Sequence, residues 1–395
     1  MFERLIYREL MDHLSKKQIT VITGMRRVGK STSVKYLLKQ IKHTNLIYLD
    51  CERVEIRTMF NRPDYESIKE ELELRGIDFS QPCLIAIDEI QLVHNLPSVI
   101  KYLYDTYQVK FIVTGSSSYY LKNTFSESLA GRKRIFEMYP LSFKEFLQFK
   151  QVWTDSYEKY AWVFYNSAWY DKAKDWYKDY ISYGGFPEVV LESKNEDKQE
   201  LLLDIVNSYI ELDVKILSDF TVSEELFKLV KLLAARSGNK IDYTKIGSVS
   251  AISRQKIASY MQLLEQTYLI YQATPFTKNI DVEISQQKKL YFADTGILNV
   301  LAGNQLSSGQ VFENAIAAQL KPHGSIQYYQ RKTGQEIDFI FKGNTALEIK
   351  ETPLEQYKNS LRQRATAIEM DKYLLIGHHP PSNGFSDFIW GGSIF

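Results

Sequence analysis

The sequence predicts an α/β protein: a parallel-sheet domain first, then a helical segment, a helical unit with a β-ribbon, and a C-terminal α/β domain. Three observations carry this. Gly24-Met25-Arg26-Arg27-Val28-Gly29-Lys30-Ser31 stands between an apolar, β-branched run, Ile19 to Thr23, and a stretch of helical periodicity from Thr32 to Ile41. Two further apolar runs end in polar residues, Pro82 to Glu89 in Asp88-Glu89 and Lys110 to Ser118 in Gly115-Ser116-Ser117-Ser118. Near the C-terminus, Gly334 to Phe341 and Ala346 to Lys350 alternate as strands do and are joined by a Lys-Gly-Asn turn.

The totals bound the answer. A chain of 395 residues accommodates roughly two to four domains. With 44% hydrophobic and 25% charged residues it reads as globular and not disordered. A net charge of +1 does not discriminate for or against nucleic acid, because a basic face can be balanced elsewhere. Cys51 and Cys83 lack metal-type spacing, which argues against a disulfide scaffold or zinc ribbon and fits a reducing compartment. No apolar run reaches the ~18 residues of a membrane span, and Met1 to Leu14 lacks a signal-peptide core. The cytoplasm, with no membrane partner, is the expected setting.

The first domain is placed at residues 1–150, with Phe2 to Leu14 an amphipathic helix leading into the sheet. In G-x-x-x-x-G-K-[ST], Gly24 and Gly29 allow a tight turn that points successive N–H groups at a phosphate. The N-terminus of the next helix, beginning near Thr32, adds positive field. Met25, Arg26, Arg27 and Val28 complete the cradle, Lys30 reaches the β- and γ-phosphates, and Ser31 ligates Mg²⁺. ATP and Mg²⁺ are the expected cofactors. Asn45 to Asp50 reads as the second strand. Pro82 to Glu89 delivers carboxylates at the end of a buried strand, Asp88 to hold Mg²⁺ through water and Glu89 to act as general base. Ser116, with Thr114 as runner-up, is the polar residue placed to sense a γ-phosphate; a plain Ser-rich turn is the alternative.

Ser128-Leu129-Ala130-Gly131-Arg132 and Pro140-Leu141-Ser142-Phe143-Lys144-Glu145-Phe146 complete an ordered series with the phosphate loop, the Asp-Glu strand and Thr-Gly-Ser-Ser. That series resembles a prokaryotic group of AAA-type P-loop ATPases, of the ASCE class and related to the archaeal ATPase family. The resemblance implies ATP hydrolysis and places Arg132 where an arginine finger or sensor lies, in trans if the protein forms a homo-oligomer.

Residues 151–217 are read as an aromatic-rich helical lid. Trp162, Trp169 and Trp176 fall seven apart, one stripe of a helix, which packs into a core or stacks on unpaired bases. Gly184-Gly185-Phe186-Pro187 breaks the pattern, and Leu201 to Leu217 resumes it. Residues 218–282 read as a winged-helix unit. Glu224 to Ala235 and Ser253 to Gln266 are its longer helices, and Leu269 to Thr274 starts a ribbon. Arg254, Lys256, Ser259 and Gln262 on the last helix could contact DNA; the alternative is a protein-binding or spacer unit.

Residues 283–395 form the last domain. Asp294-Thr295-Gly296-Ile297-Leu298 is a further element typical of the resembled family. Glu313 on a helix, Asp338 on a strand and Glu348-x-Lys350 on the next resemble the PD-(D/E)XK nuclease superfamily, with Ile337 where a Pro is usual. Glu348 and Lys350 share a strand face. The resemblance implies Mg²⁺ held by Asp338, Glu348 and the Ile349 carbonyl, Glu313 completing the site and Lys350 activating water. The expected function is an ATPase coupled to a nucleic-acid-binding, Mg²⁺-dependent nuclease-like domain, DNA ranking ahead of RNA. The alternative is a nucleotide-dependent switch or DNA-binding regulator whose nuclease-like fold is an interaction platform. A small-molecule kinase shares the P-loop but leaves Glu89, Arg132 and the C-terminal set unexplained.

Overall fold

A computed structural model describes residues 2–42, 44–116, 129, 131–214, 223–331 and 334–395. Ser117, Ser118, Ser128, Ala130 and the 217/218 boundary lie outside them. The chain divides into two compact units: Met1–Tyr139 with Ser208–Thr221 and Gln266–Tyr268, and Pro140–Asn207 with Val222–Glu265 and Leu269–Phe395.

In the first unit, α1 (Tyr7–Leu14) precedes β1 (Ile19–Thr23) and α2 (Lys30–Gln40). There follow β2 (Leu46–Asp50), α3 (Val54–Phe60), α4 (Tyr65–Leu74), β3 (Cys83–Asp88), α5 (Leu96–Thr106), β4 (Val109–Gly115) and β5 (Lys133–Glu137). The strands form one parallel sheet in the order β2-β3-β4-β1-β5. β-Branched and apolar runs buried on both faces are what an all-parallel sheet requires. Side chains alternate between faces. Val21, Ile85, Ile87, Phe111 and Val113 share a core with Ile56, Met59, Ile68, Leu72, Val99 and Leu103 of α3, α4 and α5. On the other face His13 of α1 lies 2.8 Å from the Thr20 hydroxyl, and Tyr7 stacks on Tyr36 of α2 at 4.2 Å.

The second unit contains α6 (Phe143–Phe149), α7 (Ser167–Tyr183), α8 (Pro187–Leu191) and most of α9 (Asn195–Ser208). α10 (Ser223–Ala234), α11 (Tyr243–Ser250) and α12 (Arg254–Gln266) lead to β6 (Ile270–Pro275), α13 (Ile280–Ser285), β7 (Lys289–Phe292), α14 (Thr295–Ala302) and α15 (Ser308–Leu320). β8 (Ile326–Gln330), β9 (Glu336–Phe341), β10 (Thr345–Lys350), α16 (Glu355–Thr366), β11 (Lys372–Gly377) and β12 (Ile389–Trp390) complete it. Its sheet runs β12-β11-β10-β9-β8-β6-β7, antiparallel at β6/β7, β8/β9 and β9/β10 and parallel elsewhere. The ribbon expected after the third helix is therefore not free-standing: β6 pairs with β7 on one side and with β8 on the other. α16 packs Leu361 and Ala365 on Ile337, Ile340 and Ala346.

The tryptophan stripe needs correction. Trp162 precedes the helix, Trp169 is buried, and Trp176 remains 36% exposed. The buried face of α7 is Trp169, Ala173, Tyr177, Tyr180 and Ile181, an i, i+4 succession that drifts round the helix and away from Trp176. It is a core face: Trp169 meets Trp390 edge-on at 6.1 Å, and the Tyr177 hydroxyl donates to Gln319 at 2.8 Å. The helix expected over Leu201 to Leu217 is α-helical only to Ser208 and continues as a π-helical turn, Tyr209–Val214.

Two motifs far apart in sequence meet in this unit. Asp294 caps α14 by accepting from Ile297 N–H at 3.1 Å and also accepts from Gly185 N–H at 2.7 Å. Gly184 has φ 75°, and a Cβ there would lie 2.1 Å from an Asp294 carboxylate oxygen, so only glycine fits. Among the described residues no helix is long and apolar enough to cross a membrane.

Candidate functional site

The sheet order explains how the first site assembles. β4 lies between β1 and β3, and the register pairs Thr23 with Gly115 and Ile87 with Val113. The phosphate loop after β1, the acids closing β3 and the hydroxyls closing β4 thus share the C-terminal edge of the sheet, where open α/β folds bind ligands. Gly24 sits where a Cβ would approach the Met138 carbonyl to 2.1 Å, so the loop passes against the end of β5 with no room for a side chain. Lys30 opens α2, is 4% exposed, and donates to the carbonyls of Gly24 at 3.0 Å and Met25 at 3.1 Å. Arg4, which lies in no motif, braces the loop by donating to Val28 O at 2.8 Å and Tyr139 O at 2.9 Å. Arg26 faces Glu52 at 3.7 Å, and burial raises the Glu52 carboxyl above its usual range.

Asp88 and Glu89 are buried beside Thr114 and Ser116. The Thr114 hydroxyl donates to Asp88 Oδ1 and accepts from Glu89 N–H at 3.0 Å, while Tyr48 donates to Asp88 Oδ2 at 2.6 Å. Burial and the Asp88 hydrogen bond push the Tyr48 phenol well above its usual range, so it remains a donor. Gln91 Nε2 donates to Glu89 Oε2 and, at 3.0 Å, to Ser116 Oγ; Lys30 Nζ lies 3.9 Å from Glu89 Oε1. Glu89 holds a left-handed backbone, φ 53°, a strained conformation for a non-glycine residue. Thr114 contacts both acids directly, and Ser116 reaches Glu89 through Gln91. Tyr48 carried no sequence signal, because its role comes from the adjacency of β2 and β3, and Gln91 sits in the turn after Glu89, where its bond to Ser116 of the neighbouring strand end is not written locally. The loop's N–H groups, Lys30, Ser31 and Asp88 form a donor set that fits a nucleotide triphosphate with Mg²⁺.

Arg132 is not part of this site in its own chain. Its carbonyl accepts from Ile19 N–H, at the start of β1, which puts it at the opposite end of the sheet from Gly24. Its guanidinium forms a two-contact pair with Asp105, at 3.0 and 3.1 Å.

The second set lies on β9, β10 and α15. Lys350 Nζ is 2.9 Å from Glu348 Oε1 and 3.5 Å from Asp338 Oδ2, and Asp338 accepts from Ile349 N–H at 2.7 Å. Glu313 accepts from Tyr291 at 2.6 Å and faces Lys289 at 3.4 Å; Lys289 also pairs with Glu336. Burial opposes the Lys289 charge, but Glu313, Asp338 and Glu336 outweigh it and raise that ammonium above its usual range. Burial raises the carboxyls of Glu313 and Glu348. The four expected residues thus fall into two clusters: Asp338, Glu348 and Lys350 in direct contact, and Glu313 paired with Lys289, which feels the Asp338 charge but pairs with Glu336. Arg364 of α16, also not foreseen, sits 3.1 Å from Glu348 Oε2 as an ion pair, and that buried oxygen makes no hydrogen bond. A cleft of about 490 Å³ opens over Glu348, Lys350, Arg331, Tyr357 and Arg364. The Asp338 and Glu348 carboxylates offer the oxygen ligands that fit a hard divalent ion.

On α12 the Ser253 hydroxyl caps the helix by accepting from Lys256 N–H at 3.3 Å. Lys256 pairs with Glu225 at 2.7 Å, so its charge is already met, whereas Arg254 lines a cleft of about 450 Å³ with Tyr243, Gln272 and Lys288.

Comparison with known proteins agrees with the first unit. Residues 16–147 match the family described as AAA domain, and residues 174–308 match a domain of unknown function. An uncharacterized protein of Methanocaldococcus jannaschii is 26% identical over 388 residues, covering 93% of this chain and 83% of its own length. One from Haemophilus influenzae is 27% identical over 333 residues, covering 82% and 79%. The solved structure of the Aeropyrum pernix ORC1 protein in complex with DNA has a TM-score of 0.33 at 10% identity, covering 75% of this chain and 91% of that one. Sheet order, phosphate loop and family match together make residues 16–147 an AAA-type P-loop domain.

Proposed function

We propose that this chain hydrolyses ATP at the Gly24–Ser31 loop and couples its nucleotide state to a nucleic-acid-binding C-terminal half, winged-helix-like over 218–282 and nuclease-like over 283–395. The observation that carries the ATPase reading is the buried set Lys30, Asp88, Glu89, Gln91 and Thr114 at the C-terminal edge of the sheet. Mg²⁺-ATP supplies the reactive γ-phosphoryl group and the divalent charge that neutralises it. Ser31 and Asp88 would hold the ion, Lys30 and the loop N–H groups would take the phosphates, and Glu89 would orient the attacking water as base. Thr114 and Gln91 fix the two acids, so little reorganisation remains when charge develops. Arg132, being at the far end of its own sheet, serves as a finger only for a second copy, which makes a homo-oligomer part of the proposal. Lys30→Ala and Glu89→Gln should each lower ATP turnover by about 10²-fold or more, Glu89→Gln while still binding ATP. Normal turnover in either variant overturns the assignment.

For the C-terminal half, the contact of Asp338, Glu348 and Lys350 supports Mg²⁺-dependent phosphodiester cleavage, Lys350 polarising the attacking water. A second reading has its own support. The Arg364 ion pair on Glu348 adds another cation to the acids, which suits a non-catalytic platform under a switch or DNA-binding regulator. Cleavage of single- and double-stranded DNA and RNA with Mg²⁺ or Mn²⁺, with and without ATP, separates the two. Nuclease action requires cleavage that disappears in Asp338→Ala and changes with ATP in wild type but not in Lys30→Ala. ATP hydrolysis without cleavage of any substrate selects the platform.

A further inference from the structure

Beyond β10 and β11 the chain builds a cluster of different chemistry. These strands are parallel, with Lys350 opposite Gly377, so Glu351 and the His378-His379 pair leave the sheet side by side. His378 N–H donates to Lys350 O at 3.2 Å and His379 N–H to Glu351 O at 2.8 Å, which holds the pairing past the strand ends. One carboxylate oxygen of Glu351 and one ring nitrogen of each histidine lie within 4.8 Å of one another. The His378 ring is stacked on Phe312 at 4.7 Å, and its buried Nδ1 has no hydrogen-bond partner. The His379 ring is exposed, which gives an ion a path in from solvent, and its Nδ1 lies 3.3 Å from the Tyr170 hydroxyl.

We propose that Glu351, His378 and His379 bind a divalent transition-metal ion of the zinc type. Two imidazoles and a carboxylate select such an ion over Mg²⁺, whereas the Asp338–Glu348 set offers only hard oxygens. Three protein ligands leave a fourth position open to water or an added ligand. A metal-bound histidine is normally oriented by a partner on its other nitrogen, and Tyr170 stands in that relation to His379.

The test is metal retention by the full, tag-free chain. Protein mixed with Zn²⁺ and desalted should hold one equivalent, and Co²⁺ in its place should give the intense visible absorption of a tetrahedral site. His379→Ala and Glu351→Gln should lose the retained ion. Tyr170→Phe should weaken Zn²⁺ binding by about tenfold, and Asp338→Asn should leave it unchanged. Because His379 is exposed, His379→Ala should keep the wild-type melting temperature, so loss of metal there is not loss of fold. No retained Zn²⁺ in wild type, equal retention in His379→Ala, or loss in Asp338→Asn matching that in His379→Ala overturns the proposal.

Discussion

Thr114 joins both acids of the first site through one hydroxyl, donating to Asp88 and accepting from the strained Glu89 backbone. Thr114→Val keeps the shape and removes both bonds, leaving the buried Glu89 N–H without a partner at about 1–3 kcal/mol. With Glu89 in its proposed role as base, ATP turnover should fall by about 10²-fold, since a small misplacement of that carboxylate suffices. Thr114→Ser should restore most of it, which a packing role would not allow. Steady-state hydrolysis and melting temperature check both effects. At this scale much of the site was legible. Lys30, Ser31, Asp88 and Glu89 stand at fixed spacings that the chemistry itself imposes. Arg4, Tyr48, Lys289 and Arg364 were not, because each acts across a distance in sequence that no local pattern encodes, and Gln91, though it bonds Glu89 two residues away, is placed by its second bond to the distant Ser116.

Among the elements, the join between α7 and α14 responds to pH. Asp294 is fully enclosed, and burial pushes its carboxyl up to about 6 despite bonds from Gly185, Ile297 and Gly296. An acid raised in the folded state binds more protons there than in the unfolded chain. Its contribution is therefore fully present below the unfolded value of 3.8 and is lost as pH rises through about 6. Relative to Asp294→Asn, wild type should lose about 3 kcal/mol across that window. Unfolding free energies of the two proteins at pH 4 and pH 7 measure the difference, and parallel pH profiles would count against the buried-acid account. Both partners, Gly184-Gly185 and Asp294-Thr295-Gly296, could be singled out in the sequence. That they belong to one contact could not.

For the molecule as a whole, each unit has its own core, and units of this kind generally unfold separately. Calorimetry should resolve two transitions. Trp169→Ala removes a side chain packed among Tyr160, Trp390 and Phe395 and should destabilise one transition by about 3–5 kcal/mol while leaving the other in place. A single transition shifted as a unit would show that the two cores fold as one.

By itself the sequence determined the chemistry that lies within one turn or one strand: the phosphate loop between β1 and α2, the acids closing β3, the shared face of Glu348 and Lys350. Backbone periodicity and covalent spacing fix such arrangements locally. Only the tertiary structure decided which strands are neighbours. It inserted β4 between the loop and the acids, tied β6 to β8 so that the ribbon joins the larger sheet, and left Arg132 at the far end of β1. These outcomes depend on which apolar faces bury each other and on backbone pairing between distant segments, neither of which is written in any short stretch of chain.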